Sequence, residues 1–168
     1  IRVGSNGGHG WYIGDAPSDT SAHNWLWFDN CHADKVALNG FHFAKGGQES
    51  LKHIFMSNNW VGSVGGEGIF MDGVSMVTIN SMHQDVVALR GIVLDACQDI
   101  SINNSTFDRI TGAFIIDNIG STQVKVNGNT SNTLIPLYNE SVGGNIIVNN
   151  HNIGASIFQL GSINSNNL

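Results

Sequence analysis

Read for hydrophobic and polar positions, the chain resolves into short apolar runs of strand length, each closed by Gly, Asn, Asp or Ser, with no helical period. The pattern is plainest over residues 66–117, where one unit is written three times: Gly68-Ile69-Phe70-Met71-Asp72, Gly91-Ile92-Val93-Leu94-Asp95 and Gly112-Ala113-Phe114-Ile115-Ile116-Asp117. Asp72 and Asp95 are 23 residues apart, Asp95 and Asp117 22. A second unit alternates with the first: Ile54-Phe55-Met56-Ser57-Asn58, Val77-Thr78-Ile79-Asn80-Ser81 and Ile100-Ser101-Ile102-Asn103-Asn104. Such a repeat predicts a solenoid in which every coil lays its strands on those of the next. The expected fold is all-β, a right-handed parallel β-helix of about seven coils of 22–30 residues.

The register extends both ways. Gly10-Trp11-Tyr12-Ile13 and Gly40-Phe41-His42-Phe43 match the first unit at spacings of 30 and 28, so the early coils carry insertions, expected in 15–24, 29–35 and 46–50. Residues 1–168 therefore read as one β-helix domain, with inserted coils over 1–73 and regular coils over 74–168. Ile1-Arg2-Val3 reads as the tail of a strand already under way, and nothing resembling a capping helix precedes it. The chain is expected to be a segment of a longer protein.

Strand alternation assigns the side chains. Met56, Ile79, Ile102, Val126 and Val148 are expected in one interior column. Tyr12, His42, Phe70, Val93 and Ile115 would form an outward column too apolar to face water, needing a loop or another subunit over it. A homotrimer is the expected assembly. Asn30, Asn58, Ser81, Asn104 and Asn150 read as a turn ladder with amides hydrogen-bonded along the stack. Asp72, Asp95 and Asp117 would stack at about 4.8 Å per coil, and so either accept turn N–H bonds or share a cation such as calcium.

Composition narrows the partners. Only 12% of residues are charged and the net charge is −6, which argues against nucleic acid. No run approaches the ~18 apolar residues of a membrane span. Cys31 and Cys97 fall at different places in the repeat and are expected as free thiols.

Candidate chemistry crowds into the first 72 residues, which hold all four tryptophans and five of the seven histidines. Trp11 and one of Trp25 and Trp27 are expected to fill the core. Aromatic faces stack on sugar rings, and carboxylate, His or Lys groups do acid–base work on them. The expected site is a glycan groove beside the insertions, with His9, Asp15, His42, Lys45 and Glu67 as catalytic candidates and Trp25, Trp60 and Glu49 binding substrate. Asp15 opens the longest insertion, Lys45 ends the strand carrying His42, and Glu67 sits between glycines where little should shield it.

Asn24-Trp25-Leu26-Trp27-Phe28-Asp29, Asn39-Gly40-Phe41-His42-Phe43, Leu51-Lys52-His53-Ile54 and Gly66-Glu67-Gly68-Ile69-Phe70-Met71-Asp72-Gly73 resemble the β-helix of phage tailspike endoglycosidases. That family's catalytic Asp pair would fall on Asn39 and His42, so its hydrolytic acids are not carried over. Asn6-Gly7-Gly8-His9-Gly10 is similar to the Gly-His-Gly segment of polygalacturonase-family pectinases, whose His and Lys would match His9 and Lys45. Both resemblances imply a β-helix acting on polysaccharide. The first implies a tailspike or depolymerase of the virion tail or extracellular space that binds and cleaves a bacterial surface polysaccharide. A pectinase-like hydrolase fragment, a glycan binder without catalysis and a structural shaft segment are the alternatives.

Overall fold

The computed structural model describes residues 1–14, 24–45, 51–112, 115–119, 121–131, 138–140, 146–148, 151–152 and 158–159, some of the strand residues by backbone alone. Among them are three parallel sheets and no helix, wound as a β-solenoid. Sheet A holds Arg2–Asn6, His32–Val36, Trp60–Val61, His83–Gln84, Thr106–Phe107, Thr130–Ser131 and His151–Asn152. Sheet B holds Trp11–Gly14, Phe41–Ala44, Ile69–Asp72, Ile92–Asp95, Ile115–Ile119, Tyr138–Glu140 and Phe158–Gln159. Sheet C holds Asn24–Asp29, Lys52–Ser57, Ser75–Asn80, Gln98–Asn103, Thr122–Asn127 and Ile146–Val148. The chain visits A, B and C in turn, and each strand pairs with its counterpart one coil away.

Side-chain alternation fills the interior from all three sides. On sheet C, Met56, Ile79, Ile102 and Val126 are in register and buried, as expected. The next member is Ile147, because Val126 pairs with Ile147 and Asn127 with Val148. The expected place of Val148 is therefore one residue out, a slip that exchanges the two faces of a strand. The same happens on sheet B. The 23-residue step from Ile69 to Ile92 runs on unchanged to Ile115, and the irregularity comes only afterwards, where Leu94 pairs with Asp117 but Asp95 with Ile119. Ile115 therefore joins the Ile69–Ile92 column and is fully buried, and it is Ile116 that pairs with Val93. Asp72 still pairs with Asp95, but Asp117 pairs with Leu94, so the expected three-carboxylate column is not assembled.

Two ladders turn the corners. Asn30, Asn58, Ser81 and Asn104 carry φ of 51°, 53°, 54° and 50°, and Gly128 continues the column at 64°. Asn tolerates this left-handed conformation better than most residues, which accounts for its recurrence where sheet C ends. The buried hydrogen bonds belong chiefly to the next residue along. Asn59 accepts the Cys31 N–H at 2.7 Å and donates to the Phe28 carbonyl at 2.9 Å, and Asn129 does the same for Ser105 and Ile102, both at 2.9 Å. Each amide thereby bonds two backbone groups of the neighbouring coil, one of them a corner N–H outside the strands. The second ladder is glycine entering sheet B. A Cβ on Gly40 would stand 2.7 Å from the Gly68 carbonyl, and one on Gly68 would stand 2.6 Å from that of Gly91. Only hydrogen fits so close an approach.

Cys31 and Cys97 are both buried free thiols at different corners. Trp11 packs half-buried against the core, as expected, with its ring stacked on Phe41. Trp25 and Trp27 both point outward, so the expectation that one of them fills the core is corrected: Leu26 and Phe28 do so instead.

Candidate functional site

The outer face of sheet B gathers titratable and aromatic side chains on its first three rungs. Tyr12, His42 and Phe70 are in register on successive strands, and His9 reaches them from the turn before Trp11. The His9 and His42 rings meet edge to face with centroids 4.4 Å apart. Tyr12 lies 5.7 Å from His9 and 5.2 Å from His42, and Phe70 backs His42 at 5.0 Å. Tyr12 is 60% exposed, whereas Val93, two rungs from His42 on the same column, is fully buried within the chain. The cover expected of a trimer is thus supplied at that level by the chain itself.

Asn39 sets the chemistry of both imidazoles. Its backbone N–H donates to Nδ1 of His9 at 3.2 Å. Its side-chain oxygen accepts the Glu67 N–H at 3.0 Å, which turns the amide nitrogen toward Nδ1 of His42, 3.0 Å away. Both Nδ1 atoms are therefore acceptors, and the proton of each neutral ring sits on Nε2. Burial lowers the pKa of His9, and burial together with the neighbouring His9 lowers that of His42, against a smaller opposing pull from Asp72. Near neutral pH the pair is a set of uncharged N–H donors.

The other candidates are dispersed. Glu67 is buried, contrary to the openness expected of it, because its flanking glycines let the next coil close over it. Its carboxylate accepts the Arg90 backbone N–H at 2.7 Å and Nε at 2.9 Å, with Nη2 also bound. Lys45 is exposed at the end of the His42 strand, where the chain turns from sheet B toward sheet C. It borders a cleft of about 490 Å³ with Asp72, Lys52 and Asp99. Trp60 lies on sheet A between His32 and His83, on a different face from Trp25, so the two expected binding tryptophans are not brought together. Asp15 and Glu49 lie outside the described residues. Among the described residues, no three His, Cys, Asp or Glu side chains converge on a point fit for a metal ion.

Sequence reasoning missed Asn39 and Tyr12 as members of the site. A usable signal for Tyr12 was its place in the His42 column. For Asn39 the signal was the tailspike resemblance, which puts it and His42 at the places of that family's catalytic pair, although its contact with His9 depends on a turn.

No protein-family model matches the chain, and no curated protein sequence does. Among solved structures, the chain is similar to the A-module of mannuronan C-5 epimerase AlgE6 from Azotobacter vinelandii. The TM-score is 0.57 at 15% identity, covering 98% of this chain and 55% of that one. It is also similar to the AlgE4 A-module from the same organism, with a TM-score of 0.48 at 11% identity over 85% of this chain and 58% of the other. The chain spans just over half the length of these structures. The likeness to the AlgE6 module is one of fold, the parallel β-helix.

Proposed function

We propose that the chain binds a polysaccharide across the first rungs of sheet B and cleaves it by elimination, as part of a phage tailspike or depolymerase. The observation that carries this reading is the pair of neutral imidazoles held by Asn39, with Nε2 as the remaining polar atom of each ring. Such donors suit an oxygen on which negative charge builds, as on a sugar carboxyl when the neighbouring carbon loses its proton. Lys45 is the candidate base, and exposed Tyr12 offers an aromatic face with a hydroxyl for the sugar. In this step the carbon beside the carboxyl gives up its proton, a carbon–carbon double bond forms, and the glycosidic oxygen leaves as a hydroxyl. Of the two carboxylates expected to act here, Glu67 is occupied by Arg90 and Asp15 lies outside the described residues, so the described candidate base is Lys45 and the reading is elimination. The resemblance to polysaccharide-acting β-helices supports the substrate class, and the name of the AlgE6 module, a mannuronan epimerase, agrees with it.

The test is incubation with acidic capsular polysaccharides and polyuronates, following reducing ends and the ultraviolet absorbance of an unsaturated product together. Both should rise. Reducing ends without absorbance would make the enzyme a hydrolase, and neither signal would leave a binding module.

A further inference from the structure

The outer face of sheet C carries a groove that the sheet B site does not use. It begins at an aromatic wall. Trp25 stacks on His53 with centroids 4.4 Å apart and planes 3° from parallel, and Trp27 stacks on Phe55 at 5.8 Å and 16°. The two tryptophans are 55% and 65% exposed, although their size would ordinarily keep them from water. From His53 and Phe55 a concavity of about 680 Å³ runs across the rungs, over Thr78 and Ser101, to Gln123 and Lys125. Met76 and Asp99 border it on the side of the first of these columns.

The backbone builds this groove deliberately. Trp25, His53, Met76, Asp99 and Gln123 occupy the second position of successive strands and carry φ between 55° and 66°. Pairing passes directly from Asn24–Lys52 to Leu26–Ile54, and likewise on each later rung, leaving the second residue out of the ladder. No glycine stands at any of the five positions, although the left-handed conformation favours it. Five side chains are thereby raised in a row beside the column Trp27, Phe55, Thr78, Ser101 and Lys125. Within that row, Nδ1 of His53 is buried without a hydrogen-bond partner.

We propose that the groove is a second glycan site, taking a short uncharged oligosaccharide laid along the rod. The face of Phe55, backed by Trp27, suits the apolar face of a pyranose, and hydroxyl, carboxylate and amide groups follow at one rung per step, about 4.8 Å. The volume lies in the range of small-ligand clefts, about 300–1,000 Å³. Asp99 and Lys125 contribute one charge of each sign, which selects neither a polyanion nor a cation. A peptide laid in the groove could not extend the sheet, because the paired residues of the central strands already have a strand on each side. Binding here does not depend on any activity at sheet B.

The experiment is titration of the whole chain with cellohexaose, mannohexaose and maltohexaose, read by tryptophan fluorescence and calorimetry. At least one of the three should bind and perturb the fluorescence. Phe55→Ala and Trp27→Ala should each weaken it at least tenfold, and Thr78→Trp, which fills the groove while leaving the aromatic wall intact, should abolish it. His42→Ala on sheet B should leave it unchanged. Failure of all three sugars to bind would overturn the proposal, as would full affinity in Thr78→Trp or loss of affinity in His42→Ala. Tighter binding of polygalacturonate that Thr78→Trp removes would overturn the uncharged class. Self-association in light scattering that Trp27→Ala abolishes would show the face to be an interface between copies.

Discussion

Glu67 and Arg90 meet across one rung of the solenoid, with the carboxylate holding the arginine by its backbone N–H and by two nitrogens of its guanidinium. The Glu67 side chain is 7% exposed and that of Arg90 33%. A carboxylate so placed is a structural tie between coils. Glu67→Gln should cost about 2–4 kcal/mol, somewhat under the range for a fully buried pair because Arg90 is partly wet. Thermal melting checks the cost, and turnover measured well below the melting temperature should stay within a few fold of wild type. A loss of about 100-fold without destabilisation would return Glu67 to the catalytic machinery.

His42→Ala and His9→Ala should each lower kcat by about 100-fold on any substrate the chain cleaves, since each removes one N–H donor aimed at developing charge. His42→Gln, which keeps an amide donor, should recover part of it. Steady-state kinetics on folded variants decide this, and a rise in KM alone would show that the rings only bind.

Acid should disable the site. The ordinary imidazole pKa of 6.5 is lowered in both rings, so between the folded value and 6.5 the folded chain binds fewer protons than the unfolded one. Stability from these groups is therefore fully present above pH 6.5 and falls as the pH drops through that window. Protonation also turns Nδ1 into a donor facing the donors of Asn39. The acid limb of activity should therefore lie below about pH 6.5, and melting temperatures should fall over the same range. An Asn39→Ala variant, which removes the amide facing His42 but keeps the backbone N–H facing His9, should soften the acid limb in part.

At the corner after sheet C, neighbouring positions should respond oppositely. Asn59→Ala strands the buried Cys31 N–H and removes one bond to the Phe28 carbonyl, and should cost about 1–3 kcal/mol. Ser81→Gly relieves a left-handed serine and should gain about 0.5–1 kcal/mol after the entropy of glycine is charged against it. Denaturant melts of both variants check the pair, and equal effects would contradict the ladder described here.

Gly68→Ala should separate two rungs. The added methyl meets the Gly91 carbonyl at 2.6 Å and presses on the Gln84 amide. Overpacking of this kind costs about 1–3 kcal/mol. Hydrogen exchange localised to the strands beginning at Ile69 and Ile92 is the expected readout.

The solenoid and its rungs were legible because each coil repeats the same alternation, and Met56, Ile79 and Ile102 share a column for that reason. Val148 and Ile115 were misplaced for another reason. A repeat counted from its closing Asp or Asn assumes that the strand ends in step, whereas the pairing keeps step from the strand's start and takes up the odd residue at its end. Trp25 and Trp27 were readable in principle, since Leu26 and Phe28 match the buried Ile54 and Met56, but residue size was weighed above parity. The contact of Asn39 with His9 was not readable at all. It joins residues 30 positions apart through a turn whose geometry is set by the coil beneath.

Met56, Ile79, Ile102 and Val126 stand 23, 23 and 24 residues apart, and each rung repeats the same left-handed corner residue, the same left-handed second residue and the same outward column. A duplication of one such segment in the gene would therefore insert a finished rung with its joints already matched above and below. The sheet C groove would lengthen by one step while the histidine pair, on the two earlier rungs of sheet B, kept its geometry. The rod is in this sense a ruler whose markings are copied together with its length, so reach along a ligand can be altered by copy number with the chemistry left untouched.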